Sequence, residues 1–269
     1  MEYVPTGQFF GQTHHDLRVG HVRLTDTVYT HAFVDWHYHQ YPYFTFLLAG
    51  QLIEKNRRHT THCRAGDLLF HNWQEPHANT KPNGFARGFH LEVEDDFLHE
   101  FDLDLKGVAG NLTISDVTVK LRLYSLLKEL HIQDSFSALT IQAHCLDILT
   151  SVTQSAPPTG KPTWLAKATE LLHDLPVQAL TLSRLAQELN RHPVHLSRDF
   201  PRYFRCSLGE YLRKIRIGQA LALLPDASLS LTDIAFRAGF ADQSHFIRCF
   251  RAQQQLTPGQ YRRQVLQLR

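Results

Sequence analysis

Cysteine is scarce in this chain. Its 269 residues include four, Cys63, Cys145, Cys206 and Cys249. They are too scattered for a metal-site spacing and too few to staple a chain of this size, so they are read as buried thiols. Long apolar runs are missing as well, since none reaches the ~18 residues that suggest a membrane span. The opening MEYVPTGQFF lacks a basic stretch followed by a hydrophobic one, which argues against a signal peptide. Net charge is close to nil, +2 from 28 Lys+Arg and 26 Asp+Glu. These absences argue against a disulfide-stapled secreted domain, a membrane protein and a cysteine-ligated metal protein. A cytoplasmic globular protein is the expectation.

What is present is an uneven distribution of charge. From Lys161 onward there are 16 basic and 8 acidic residues, a net of +8. The residues before it hold 12 basic and 18 acidic, a net of −6. An acidic first part joined to a basic second part suggests a sensing or assembly domain attached to a polyanion binder. The length accommodates two domains.

The residue pattern changes twice along the chain. Between about 20 and 95, YFTFLLAGQLIEKN, GDLLFHN and GFHLEVED read as short strands broken by Gly or Asn, the signature of a barrel or sandwich. From Ser115 the period becomes helical. Val117, Leu121, Tyr124, Leu127 and His131 form one stripe, and Phe136, Leu139, Ile141, Cys145, Ile148, Leu149 and Val152 form another. A helical hairpin with that much apolar surface needs a partner, either the barrel or a second copy of the chain. TQSAPPTGKPT, Thr153 to Thr163, reads as a linker. Everything after it reads as helical.

Two stretches after the linker share one design. Leu180 to Phe204 and Leu229 to Gln253 each begin Leu-x-Leu around a capping Thr or Ser. Each continues as a short helix, a turn, and a second helix ending on a buried Phe, the pattern of a helix-turn-helix. In the second unit Gly239 suits the turn and Asp242 suits the N-cap. Phe246 and Phe250 then face inward, which turns Ser244, Arg248 and Arg251 outward at ~100° per residue. Arg248 is placed to meet base edges and Arg251 to meet phosphate. In the first unit Leu196 and Phe200 go inward while Val194, Ser197 and Arg198 come out. Pro193 suits a first helical turn, but Pro201 is expected to kink or shorten its helix. Between the units, Ser207 to Leu224 begins with a capping box, Ser207 and Glu210, and would span ~27 Å. That rod suits two recognition helices in adjacent major grooves ~34 Å apart, favouring duplex DNA over RNA.

Leu180 to Arg262 strongly resembles the DNA-binding domain of AraC/XylS-type transcriptional regulators. The resemblance rests on HLSRDF, YLRKIRIGQALALL, LTDIAFRAGFADQSHFIRCFR and LTPGQYRR and covers about the last 100 residues. It implies two helix-turn-helix units on consecutive major grooves of a promoter. Carried onto this sequence, the DNA-facing residues are Val194, His195, Ser197 and Arg198, then Gln243, Ser244, His245, Arg248 and Arg251. Arg205 and Gln255 stand where the family often has Gly, and Pro201 where it has a basic residue.

The N-terminal part resembles the cupin-like barrel that many such regulators carry. His37, His39 and Gly50 fit a first cupin motif, and Gly66, GDLLFHNWQEPHAN and His77 fit a second. In metal-binding cupins two histidines, a glutamate and a later histidine form the ligand set, yet Tyr43 occupies the glutamate position here. Three readings stand open. They are a metal-free small-molecule pocket lined by His37, His39, Tyr43, Thr45 and His77, a three-histidine site for a divalent metal, and histidines kept as hydrogen-bonded rim residues. The pocket residues up to Thr45 share a face if the strand runs unbroken, and Pro42 threatens that alternation. Phe44 and Phe46 would then pack as core. His14, His15, His31, His71 and His90 have no compelling partner by spacing.

The expected architecture is therefore a two-domain α+β protein. Residues 1–112 form the cupin-like effector domain, 113–153 a helical hairpin for dimerisation or signal transmission, 154–163 a linker, and 164–269 an all-α DNA-binding domain. The expected function is sequence-specific, activator-type transcription regulation controlled by an effector in the barrel, with no catalytic residues and no required cofactor. Expected partners are double-stranded promoter DNA, RNA polymerase, a second copy in a homodimer and the small-molecule effector, with no membrane. The alternatives are a metal-dependent cupin enzyme with an appended helical domain and a nucleoid-type protein without sequence preference.

Overall fold

The computed structural model describes residues 2–266 except 73, 83, 106, 107, 109, 110, 154–162 and 205, and the side chains of 173, 174 and 178. The linker and Arg205 thus lie outside the described residues. Two compact units emerge, Met1–Ser155 with Gln260–Arg269, and Ala156–Gly259. Among the described residues no helix is long and apolar enough to cross a membrane.

The first unit is built on ten strands. They are β1 (Glu2–Val4), β2 (Gly11–Val19), β3 (Val22–Tyr29), β4 (Phe33–His39), β5 (Tyr43–Asn56), β6 (Thr60–Arg64), β7 (Leu68–His71), β8 (His77–Thr80), β9 (Ala86–Val93) and β10 (Asn111–Ile114). They pair in the order β1-β4-β8-β5-β9-β3-β2, with β6 and β7 also on β5 and β10 on β7, and curl into a half-barrel. YFTFLLAGQLIEKN forms the single strand β5, and the other two strand-like segments supply β7 and β9.

Strand β5 is shared by both halves of the curl. Its first part pairs with β7 and β9, its last part with β6 and β8. The register against β9 shifts between Leu47 and Ala49. Before the shift Tyr43 and Thr45 face the cavity; after it Leu52 and Glu54 do. One extra residue in a strand moves every later side chain to the opposite face. Gly50 follows this irregularity at φ +79, and a Cβ there would lie 2.2 Å from the Phe85 carbonyl oxygen. Phe44 and Phe46 are fully buried on the other face, where Phe46 meets Tyr124 edge-on at 4.6 Å.

A short helix, α1 (Asp95–Glu100), precedes β10, and the hairpin follows as α2 (Val117–His131) and α3 (Ser137–Thr153). Asp116 caps α2 by accepting from the Thr118 and Val119 amides. The first apolar stripe is buried as expected, and so are Ile141, Cys145, Ile148, Leu149 and Val152. Phe136 and Leu139 are not, at 70% and 69% exposed. The expected second stripe is corrected accordingly. Leu139 precedes Ile141 by two residues, a rotation of ~200° that places it across the helix, and Phe136 lies before the helix begins.

The hairpin meets the sheet at a buried carboxylate as well as by packing. Asp26 of β3 is fully buried and receives two N–H bonds from Arg87 of the neighbouring β9, Nε at 2.8 Å and Nη2 at 2.5 Å. His131, at the end of α2, brings Nε2 to 3.3 Å of the same carboxylate. Burial alone would raise the Asp26 pKa, but the hydrogen bonds and charges of Arg87 and His131 outweigh it and hold the group below the usual carboxylate range.

The second unit contains α4 (Thr163–Asp174), a 3-10 turn at Val177–Ala179, α5 (Leu182–Glu188), α6 (Pro193–Phe204), α7 (Leu208–Leu223), α8 (Leu231–Arg237) and α9 (Gln243–Gln254). The last helix, α10 (Pro258–Gln264), begins at its end, and residues from Gln260 on group with the first unit. There the Tyr261 hydroxyl donates to the Tyr124 carbonyl.

Two consequences are measurable. Gly50→Ala should lower the melting temperature of the barrel by at least about 2 °C, because a left-handed alanine costs ~1–2 kcal/mol before the clash with Phe85 is counted; thermal unfolding followed by circular dichroism reads this. Glu92 of β9 accepts from the Gly7 amide at 2.6 Å, while its other oxygen is buried without a hydrogen bond. Burial pushes its pKa up to about 7 against the pull of Gly7 and Arg23. A carboxyl whose folded pKa is raised binds its proton more tightly in the fold, so stability is fullest below pH 4.5 and falls as pH rises through about 7. Glu92→Gln should therefore melt several degrees above the parent at pH 8 and lose that advantage by pH 4.5.

Candidate functional site

Each unit carries a candidate site. In the second unit, α5–α6 and α8–α9 form the two helix-turn-helix pairs. Local chemistry sets their ends. Thr181 caps α5 by accepting from the Arg184 amide, and Asp242 caps α9 by accepting from the His245 amide at 2.7 Å. Ser230 and Asp233 form a reciprocal capping box on α8. On α7, Ser207 accepts from the Glu210 amide, whereas the two-way box expected there is formed on α8. Gly239 sits at φ +81 in the second turn, and a Cβ there would lie 2.7 Å from Val177 Cγ1.

Leu196, Phe200, Phe246 and Phe250 are buried, which fixes the outer faces of α6 and α9. Val194, His195, Ser197 and Arg198 are exposed on α6, as are Ser244, Arg248 and Arg251 on α9. Val194 is apolar and still 64% exposed, a suitable surface for a thymine methyl. Gln243 and His245 are half-buried. Gln243 accepts from the Thr232 hydroxyl at 2.6 Å, and His245 packs edge-on against Phe240. Arg198 lies 3.4 Å from Asp199, whose carboxylate is held at 2.7 Å by Arg191. Pro201 does not shorten α6, contrary to expectation. Phe200 and Phe204 stack at 4.0 Å and both pack on Tyr211, which holds the last turn in place. Gln255 ends α9 at φ 61, in the left-handed region where glycine is preferred.

In the first unit the site is the cavity of the half-barrel. His37 and His39 end β4, residues 40–42 interrupt the chain, and Tyr43 begins β5. The unbroken strand needed to align them by alternation is absent, yet His37, His39, Tyr43 and Thr45 all line the cavity. His77, expected to line it too, is not among the lining residues; it lies opposite His37 across β4–β8, with ring centroids 4.2 Å apart. The five residues named from sequence are all buried.

Sequence reasoning missed Glu54, His71 and Lys81. His71 Nε2 lies 2.7 Å from Glu54 Oε2, and Asn111 donates to the other oxygen at 3.2 Å. Burial would raise Glu54, but His71 overcomes it and brings the pKa down to about 2. Lys81 is buried above the Tyr29 ring, 4.9 Å from Nζ to the centroid, and burial lowers it to about 8. His90 also has partners, the Tyr29 hydroxyl at 2.7 Å and Thr25 at 3.1 Å. His15 packs on His131, with ring centroids 4.2 Å apart.

The cavity histidines are kept neutral. Burial lowers His37, takes His39 well below its ordinary value, and brings His77 to about 3. Hydrogen bonds assign their tautomers. His37 Nδ1 donates to the Asp35 carbonyl at 2.8 Å and His77 Nδ1 to the Glu75 carbonyl at 3.1 Å, so each Nε2 carries a lone pair. The Tyr43 hydroxyl donates to that of His77 at 3.0 Å. The donor atoms of His37, His39 and His77 all lie within 4.8 Å of one another, as do those of Glu54, His71 and His77. Neutral imidazoles plus a carboxylate are a fitting set for a divalent metal. Glu54, eleven positions after Tyr43, supplies the carboxylate of the second group only, with His71 and His77. The cavity leaves about 20 Å³ for water-sized occupants, room for a water or an ion and far less than a drug-sized molecule fills.

Comparison with known proteins agrees with the geometry of the second unit. A family model described as a helix-turn-helix domain matches residues 185–264. The uncharacterized HTH-type transcriptional regulator YpdC of Escherichia coli is 40% identical over 84 residues, 31% of this chain and 30% of that protein. The melibiose operon regulatory protein of Escherichia coli is 33% identical over 86 residues, 32% of this chain and 28% of that protein. The chain thus spans about a third of the length of these two relatives. The probable transcription factor PqrA of Proteus vulgaris is 33% identical over 85 residues, 32% of this chain and 70% of that protein. With two capped helix-turn-helix pairs of this pattern and a relative covered over most of its length, the chain belongs to the AraC/XylS-type family of transcriptional regulators.

Proposed function

We propose that this chain is a sequence-specific DNA-binding transcription regulator whose hold on DNA is set by what occupies the N-terminal cavity. The observation that carries the reading is the pair of exposed helix faces on α6 and α9. Each is oriented by buried aromatic or aliphatic residues behind it, and each presents an arginine outward, Arg198 and Arg248. The connecting helix α7 has 16 residues and so a length of ~24 Å, which suits helices reading successive major-groove segments of one duplex. Arg248 meets base edges and Arg251 phosphate, with Val194, Ser197 and Ser244 contributing shorter contacts. Gln243 braces α9 on α8 through Thr232.

The barrel supplies control. An occupant of the cavity biases one of two arrangements, and the hairpin carries the bias onward, a population shift driven by differential affinity for the two states. RNA polymerase and a second copy of the chain complete the partner set of this reading.

Selection of bound fragments from genomic DNA, followed by affinity measurement on the selected sequence, tests the proposal. Arg248→Ala should weaken the selected sequence by about 5–150-fold and relax preference at one or two base pairs, leaving the melting temperature unchanged. Arg251→Ala should weaken all sequences alike and reduce the slope of log affinity against log salt by about 1. Equal affinity for selected and unrelated DNA at moderate salt would overturn the reading in favour of a protein that binds DNA without sequence preference.

A further inference from the structure

We propose that a divalent transition-metal ion binds where the hairpin meets the sheet, held by His15 of β2, Asp26 of β3 and His131 of α2. None of the three lines the cavity, and the proposal does not depend on the regulator reading above.

Backbone geometry brings the three side chains together. Strand β2 carries an irregularity between Thr13 and His15, and because of it His15, not His14, stands directly opposite Asp26. His15 is half-buried there and His14 is exposed. His131 is the last residue of α2, and its ring centroid lies 4.2 Å from that of His15. The donor atoms of all three residues lie within 4.8 Å of one another.

One edge of this triangle already has the length an ion needs. An ion ~2.1 Å from each donor in tetrahedral geometry sets the donors about 3.4 Å apart, and His131 Nε2 lies 3.3 Å from Asp26 Oδ2. The other two edges close by at most about 1.4 Å to reach the same spacing. His131 Nδ1 donates to the Leu127 carbonyl at 2.9 Å, which leaves Nε2 as the free end of the ring. The side chain is fully buried, and Nε2 has no hydrogen-bond partner of proper geometry. A buried lone pair facing a carboxylate oxygen calls for positive charge between them, either a second proton on His131 or a metal ion. Two features favour the ion. A hydrogen bond lies along the N···O line, whereas an ion shared by both atoms sits to one side of it, which fits the missing alignment. His15 adds a third donor, of which a proton makes no use. Burial first, and His131 second, lower the pKa of His15 and keep its ring neutral, as ligation requires.

Arg87 is the contrary charge. Its guanidinium holds both Asp26 oxygens and repels a cation. It also orients the carboxylate, as an outer-shell donor does for a ligating one, and the Leu127 carbonyl orients His131 in the same way. Arg87 Nε keeps Oδ1 while Oδ2 turns to the ion. Two imidazoles and one carboxylate suit Zn, Fe, Co or Ni in preference to Mg or Ca, and the remaining positions fall to water. A filled site fastens β2 and β3 to the end of α2.

The test uses the full-length chain, stripped with a chelator and equilibrated with Zn2+, Co2+, Ni2+ or, anaerobically, Fe2+, then desalted and analysed for metal by mass spectrometry. The cavity histidines offer nitrogen donors too, so variants locate the ion. His15→Gln and His131→Gln should each retain about one equivalent less than the parent, and His77→Gln should keep that equivalent. Strand β2 is an edge strand, so His15→Gln is expected to fold even where His131→Gln does not. Labelling of the parent by diethyl pyrocarbonate, read residue by residue, should fall at least about fivefold at His15 when metal is added, since the ligating lone pair is then engaged. Exposed His14 should label as before. Metal below about a tenth of an equivalent in the parent with every ion overturns the proposal and leaves a second proton on His131 as the bridging charge. Equal metal content in the parent and His15→Gln, as for an ion held in the cavity, overturns it as well, and so does a loss of labelling shared by His14.

Discussion

Strand β5 has to serve both halves of the barrel, and the irregularity between Leu47 and Ala49 is what allows it. A strand of fourteen residues with strict alternation would keep one face inward throughout. This one changes parity partway. Tyr43 and Thr45 point into the cavity from the first part, and Leu52 and Glu54 from the second. Glu54 faces inward beside His71 because of that switch. Gly50 is the residue that lets the backbone pass Phe85 at the crossing.

The outer face of the same sheet obeys a different constraint. Phe46 and Tyr124 join it to the hairpin through apolar contact, and His131 joins it at the buried Asp26 carboxylate, which Arg87 pairs within the sheet. Apolar contacts tolerate sliding, whereas a buried ion pair has one good geometry, and removing one member strands the other at a cost of ~3–5 kcal/mol. His131 therefore meets a fixed carboxylate near the end of α2, while Lys120 reaches Asp67 from its first turns. Any rearrangement that carries a signal along the hairpin keeps both contacts or breaks one.

How far the sequence could be read depended on how local the determining chemistry was. Thr181, Ser230 and Asp242 cap their helices within three residues of themselves, so the helix-turn-helix units were legible. Phe200, Phe246 and Phe250 fixed the outward faces by simple periodicity. Pro201 sits inside α6, which still runs on to Phe204, where Phe200, Phe204 and Tyr211 pack together. Glu54 and His71 were invisible in the sequence. They are seventeen positions apart, and the parity switch at Leu47–Ala49 reverses the alternation by which Glu54 would be read as facing outward. Phe136 and Leu139 were assigned to a buried stripe on hydrophobicity, although their angular positions on α3 exclude them.

Phe9 closes one side of the cavity. Its ring stacks on His90 with centroids 3.5 Å apart and on His39 at 5.0 Å, and it forms part of the cavity wall. With Tyr43 tilted against it at 5.6 Å, Phe9 draws rings from β4, β5 and β9 into one wall, so the segment between β1 and β2 is held to the barrel by ring contacts.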